Sequence, residues 1–431
     1  MKQRAPALNF PVCGNGGAME RRIAVTGLGV VSPLGNDVQT FWENIKAGKN
    51  GISGITKFDC TDYRVKVAAE VHDFEPKDYM EKLDVLHSDV YTHFAIGAAS
   101  QAVEDSGIIG TVEKDRIGVM IGSGIGGIET FMKEHTKLIE KGPKRVSPFF
   151  IPMMIPNMAS SMIAIRYGCM GPGMPQVTAC ASGSNAIGEA MRLIRHGYVD
   201  AMIAGGSEAT VNPLAAAGFQ TMMALSFSED PDAASLPFDA RRGGFVMGEG
   251  AGCVILEEYE HAKARGAHIY AELCGYGSTN DAYHMTSPEP EAEGAYKAIL
   301  QAWNEMGVDT DEVYYNAHGT GTAMNDKIET LAIKRALGEE RAHKIDVSST
   351  KSMTGHMLGA AGAIEAIVCV KALTDGIAPP TINYQEPDPD CDLFYTPNQA
   401  KTRNYEVALS SSLGFGGHNA CLAFKRNGGE A

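Results

Sequence analysis

An α/β architecture is predicted by three features of the chain. Near-continuous apolar runs of strand length recur along it, helical segments separate them, and the pattern restarts after residue 265. Arg22–Val31 reads as a buried strand closing on a Gly/Pro turn, Phe41–Ile45 opens a helix, and His93–Asp105 forms another. Ile117–Gly122 is a strand running into a glycine-rich loop, Gly122–Gly127. A helix with the pattern of Asn185–Ile194 follows Cys180, and Asp200–Gly206 is the next strand. In the second half Ile269–Gly277 resembles the opening strand, Glu293–Met306 is helical, and Val313–Ala317 is a strand ending at His318. Such a restart suggests two similar halves packed as one body, since no low-complexity linker separates them. The expected division is a leader over 1–20, a first half over 21–265 and a second over 266–426.

Composition narrows the functional classes. The 431 residues carry a formal net charge of −15, which argues against nonspecific attraction to nucleic acid or to anionic membranes. Nine cysteines are scattered without CxxC pairs, a usage that fits a reducing cytosol better than a disulfide framework or a zinc site. The longest apolar segment, Leu358–Leu373, is interrupted by Glu365 and Lys371 and is too short to span a bilayer. Met1–Ala18 has early positive charges but no apolar core of signal-peptide type. A frayed leader and a start codon upstream of Met19 explain it equally well. The Gly122–Gly127 loop lacks both GxGxxG spacing and a following Lys-Ser/Thr, so tight turning and close backbone approach explain its glycines better than phosphate binding.

Three side chains carry the chemistry. Cys180 lies in TACASGSNAIG, where a strand breaks sharply into a helix flanked by small residues. A thiol there faces unpaired N–H groups and the positive end of the helix dipole, which favour the nucleophilic thiolate. A buried structural cysteine is the usual alternative. His318 lies in NAHGTGT at a strand end, and His356 in KSMTGH before a helix rich in glycine and alanine. Two histidines at strand-to-loop exits, each in a Gly/Thr-rich turn, make a shared pocket plausible without proving that they meet. Glu365 interrupts that apolar helix, where an unpaired carboxylate is costly, and Lys351 is its candidate partner.

These segments resemble the Cys-His-His set of the condensing β-ketoacyl-acyl carrier protein synthases. The similarity runs from VTGLGVVSPLG at Val25 through GPKRVSPFFIP, GGFVMGEGAG, NDAYHMTSP and PPTIN to GFGGHNACLAFK. The resemblance implies a thiolase-like, five-layered αβαβα fold of two similar halves, a homodimer, and a cytoplasmic acyltransferase of fatty acid biosynthesis. A ketosynthase of a type II polyketide or other specialised acyl pathway is the alternative. The implied partners are acyl-ACP and malonyl-ACP, with no cofactor and no metal. Cys180 is implied to take the acyl chain, and His318 and His356 to polarise the malonyl thioester, with the backbone N–H groups of Cys180 and Phe415 as oxyanion hole.

Lys351 and Glu365 are implied to order His356, a purely structural ion pair being the alternative. Thr320 and Thr322 match positions that contact a pantetheine arm, or else serve turn chemistry. Phe415 matches a gate over the cysteine, against the alternative of a core aromatic in a glycine turn. Ile125 matches the floor of an acyl pocket at the dimer interface. The chain departs from the family where a basic stretch receives the carrier: Leu83–Asp89 has almost no positive charge, and Met223 stands in place of an arginine. Lys82, Lys144, Arg145, Arg241 and Arg242 are the candidate substitutes. Ser411-Ser412-Leu413 replaces the family's Asn-Ser-Phe.

Overall fold

The computed structural model describes residues 21–428, so the expected leader over 1–20 lies outside the described residues. Ten strands form the main sheet: Ile23–Val31 (β1), Ile117–Gly122 (β2), Gly173–Gln176 (β3), Ala201–Glu208 (β4), Gly250–Glu258 (β5), Ala271–Asn280 (β6), Val313–Asn316 (β7), Asp346–Ser348 (β8), Val407–Gly414 (β9) and His418–Arg426 (β10). Their spatial order is β8-β7-β9-β10-β6-β1-β5-β4-β2-β3. Outward from the β1–β6 junction, each side runs first, fifth, fourth, second, third strand of its own set. Strand directions repeat as well, with two antiparallel pairings followed by two parallel ones on each side. The two sets join only through Ala24 opposite Glu272 and Val25 opposite Ala271.

Six helices give the layers: Val90–Ser106 (α1), Met158–Tyr167 (α2), Ser182–Arg195 (α3), Glu293–Met306 (α4), Ala323–Leu337 (α5) and Ala361–Asp375 (α6). α1 packs on β1 and β5, and α2 on β2 and β3; α4 packs on β6 and β10 and carries α5. α3 and α6 touch each other, with α3 against β4 and β2 and α6 against β9 and β5. The result is the five-layered αβαβα arrangement of the thiolase fold.

Sandwiching explains why α6 is apolar on every side: it is buried from Ala361 through Val370, and its one buried charge is Glu365. The central layer is also tightly spaced. A side chain at Gly183 would meet the Gly359 carbonyl at 2.8 Å, and one at Gly362 would meet Ser184 Oγ at 2.1 Å. Glycine at both places lets the backbones of the two central helices approach.

Candidate active site

Cys180 sits on a single 3₁₀ turn, Ala179–Ala181, between β3 and α3. Ser182 Oγ pins that turn, accepting from the Thr178 N–H at 2.9 Å and donating to the Ala179 carbonyl at 2.7 Å. Ala179 is held at φ +50°, a left-handed conformation that costs a non-glycine residue about 1 kcal/mol or more. The resting thiol departs from the thiolate expected at a helix start. Burial pushes it up to about 12, while the Lys351 charge and the backbone N–H groups of Phe415 and Cys180 pull the other way. Desolvation wins because the sulfur is enclosed and lies a residue ahead of the first helical turn.

Two buried carboxylates, Glu329 and Asp326, fix the loop after β7. The backbone N–H groups of His318 and Gly319 donate to the two oxygens of Glu329, both at 2.7 Å. Ser411 Oγ donates to Glu329 as well, at 2.5 Å. Asp326 accepts from Phe238 N–H at 2.7 Å and Gly321 N–H at 3.2 Å, and so shapes the Thr320–Thr322 turn. His356 is set by strand-like pairing beside Met247, with its N–H on the Val246 carbonyl and its carbonyl accepting from Gly248 N–H.

The geometry brings Cys180, His318 and His356 together: one side-chain S or N atom from each lies within 4.8 Å of the others. The two imidazoles meet edge to face with centroids 5.2 Å apart, and Phe245 packs edge-on against His356 at the same separation. Burial first, and the nearby Lys351 charge second, hold both rings well below the usual histidine pKa. Both are therefore neutral at pH 7, each with one N–H to donate and one lone pair.

Lys351 Nζ and a Glu365 oxygen form a buried ion pair. Burial raises the Glu365 pKa to about 7 against the opposing pull of Lys351, and its second oxygen has no partner among the described residues. A raised acid pKa means that the folded state holds a proton which the unfolded chain has already lost. The Glu365 contribution to stability therefore falls as pH rises from 4.5 toward about 7. Glu365→Gln should flatten that slope, read as a smaller difference in melting temperature between pH 5 and pH 7 than the unaltered protein gives.

Glu208, at the end of β4, accepts four hydrogen bonds: from Ser123 Oγ, Gly124 N–H, Ile125 N–H and Gly359 N–H, at 2.7–3.2 Å. Burial pushes its pKa up, yet four donors leave no acceptor for a carboxyl proton, and the geometry is that of an ionised group. Sequence reading passed over Glu208, Asp326 and Glu329. For Glu208 the available signal was an acidic residue ending an apolar strand, akin to the one that exposed Glu365; Asp326 and Glu329 lie on a helix of mixed polarity that gives no such signal.

A cavity of about 490 Å³ leads to the sulfur, lined by Cys180, His318, His356, Thr320, Thr322 and Phe415 among others. The two threonine hydroxyls are 3.0 Å apart. Phe415 tops the β9–β10 hairpin, followed by Gly416 at φ +87° and Gly417 at φ +78°, values that favour glycine. Ile125 stands apart: it does not line this cavity and is 39% exposed on the single chain. Of the candidate docking cations, Arg241 is engaged with Asp239 and Arg242 with Asp388, both within the protein, whereas Lys82, Lys144 and Arg145 are exposed.

Comparison with known proteins agrees with this geometry. Residues 20–262 match the family model "Beta-ketoacyl synthase, N-terminal domain", and residues 270–385 match "Beta-ketoacyl synthase, C-terminal domain". The chain is 51% identical over 410 residues to a 3-oxoacyl-[acyl-carrier-protein] synthase 2 of Synechocystis, covering 94% of this chain and 98% of that one. It is 50% identical over 411 residues to the protein of the same name from Staphylococcus aureus, covering 95% and 99%. Among solved structures it resembles a ketosynthase bound to its acyl carrier protein from a type II polyketide system (TM-score 0.86, 38% identity, 95% and 100% covered). A beta-ketoacyl synthase from Burkholderia phymatum gives a TM-score of 0.87 at 34% identity, with 94% and 99% covered. With both halves matched by its models and half of all residues shared along nearly the whole length of named members, the chain belongs to the beta-ketoacyl synthase family.

Proposed function

We propose that the protein elongates acyl chains in fatty acid biosynthesis by decarboxylative Claisen condensation. The observation that carries this reading is the meeting of one thiol and two neutral imidazoles at the end of a cavity large enough for a thioester arm. In the first stage Cys180 attacks the thioester of acyl-ACP, its sulfur–carbon bond forms, and the carrier thiol leaves with the cysteine proton. The N–H groups of Cys180 and Phe415 stabilise the oxyanion. In the second stage malonyl-ACP loses CO₂, and its thioester oxygen gathers enolate charge opposite the His318 and His356 donors. The enolate carbon then displaces the Cys180 thiolate, which takes up a proton from water, and yields 3-oxoacyl-ACP. Thr320 and Thr322 hold the pantetheine arm, Phe415 gates the sulfur, and Lys351 with Glu365 orders His356.

Two further parts belong to this proposal. The chain divides at residues 21–265 and 266–426, a division supported by the repeated strand order. The molecule is a cytoplasmic homodimer in which Ile125 closes the acyl pocket near the partner. The supporting feature is β3, an edge strand whose Met174 is 41% exposed, beside Val177 at 50% and Ile165 at 79%. Exposed apolar residues on an open edge call for a covering partner. Met174→Asp should shift the protein toward monomer in sedimentation velocity.

The direct test of the chemistry is intact-protein mass spectrometry after mixing with acyl-ACP. An acyl adduct on Cys180 that malonyl-ACP converts to 3-oxoacyl-ACP is expected. No adduct would remove the condensing assignment. Fatty acyl substrates are favoured over polyketide intermediates by the 51% identity to a 3-oxoacyl-ACP synthase 2, against 38% for the polyketide ketosynthase. Product analysis with a ladder of saturated acyl-ACPs tests that choice.

A further inference from the structure

We propose that Cys180, His318 and His356 also form a binding site for one thiophilic divalent ion of the zinc class, which shuts the protein down reversibly. Thiolate and imidazole are both zinc ligands, and three protein ligands with an open fourth position are the pattern of catalytic zinc sites. Here their ligating atoms lie within 4.8 Å of one another. Zn–S and Zn–N bonds of ordinary length set tetrahedral ligands about 3.3–3.6 Å apart. Drawing those atoms together by about 1–1.5 Å would complete the set. The open position faces the cavity, which supplies both an entry path and room for a water molecule.

Other features of the site fit such an ion. Each imidazole keeps a ring nitrogen, Nδ1, that has no hydrogen-bond partner among the described residues. Neither ring is committed to a carboxylate that would hold it in another orientation. The Lys351 charge, which would repel a cation, is partly offset by Glu365 in contact with it. Binding balances as M²⁺ plus the Cys180 thiol giving a metal–thiolate bond and one released proton, with both imidazoles contributing lone pairs only. The trio offers no carboxylate oxygen, so magnesium and calcium are poor occupants and zinc, cobalt or cadmium good ones. An ion held here removes the nucleophile and both donors at once.

Cobalt titration of the full-length protein, anaerobic and without added thiols, tests the site independently of any condensation. One equivalent of Co²⁺ should give a thiolate-to-metal charge-transfer band and the intense visible bands of tetrahedral cobalt. Zn²⁺ should displace them, and a large excess of Mg²⁺ should not. Cys180→Ser should lose the charge-transfer band while melting at a similar temperature. Because a variant can misfold, a second measurement uses the unaltered chain: Zn²⁺ should slow alkylation of Cys180 by iodoacetamide at least tenfold, and EDTA should restore it. The exposed Glu339, His343 and Asp392 cluster, the other candidate among the described residues, has no sulfur and cannot give the band. A charge-transfer band that persists in Cys180→Ser, no band at all, or unchanged alkylation with Zn²⁺ would each overturn the proposal. Failure here leaves the acyl-adduct test of Cys180 untouched.

Discussion

Cys180→Gln abolishes condensation, with turnover falling by at least about 10⁴-fold, because Cys180 is the one thiol among the residues that line the cavity. The amide side chain approximates the volume of an acylated cysteine, and the Ser182 contacts that pin the turn involve only Thr178 and Ala179. The variant should therefore fold, with a circular dichroism spectrum and melting temperature close to those of the unaltered protein. Since His318 and His356 remain, slow decarboxylation of malonyl-ACP should survive, measured as acetyl-ACP formed without acyl donor. Turnover retained to within tenfold would mean that another nucleophile does the work.

His356→Ala should separate the two stages. Its imidazole is assigned to the enolate oxygen, so decarboxylation should fall by about 10²–10³, the cost of one lost donor at a developing oxyanion. Acyl transfer to Cys180 should fall by less than about tenfold, because the N–H groups assigned to its oxyanion are untouched. Single-turnover mass spectrometry of the acyl-enzyme and acetyl-ACP release read the two stages separately. Collapse of acyl transfer alone would reverse the assignment. A part of any loss will reflect packing, since Phe245 and His318 both rest edge-on against the ring.

The alternation of strands and helices was legible because periodicity is local. Glu293–Met306 and Ile117–Gly122 are found at the expected bounds, while β4 runs two residues beyond the expected Gly206, to Glu208. The meeting of Cys180 with the two histidines followed from a resemblance of motifs and not from spacing, since sequence distance says nothing about which loops end at one point. The burial of the Cys180 thiol, which opposes the thiolate, was not legible. Helix position is visible in a sequence, but the depth of burial that opposes the dipole is a property of the packed sheets. Glu208 and Glu329 were missed because most of their partners are backbone N–H groups, and any residue can supply those. The cavity lining was only partly legible: Ile125 is not among the residues that line the cavity of the single chain.

The repeated strand order has a consequence for how activity can be tuned. Cys180 follows the third strand of one set and His356 lies shortly after the third strand of the other, so the reacting groups occupy matching stations of two copies of one topology. Cys180 lies just before α3 and His356 five residues before α6, and those helices lean on each other through glycine contacts. A slip of one copy against the other by even an ångström alters every sulfur-to-ring separation together. Substitutions along that seam, far from any substrate, would act as a vernier on turnover.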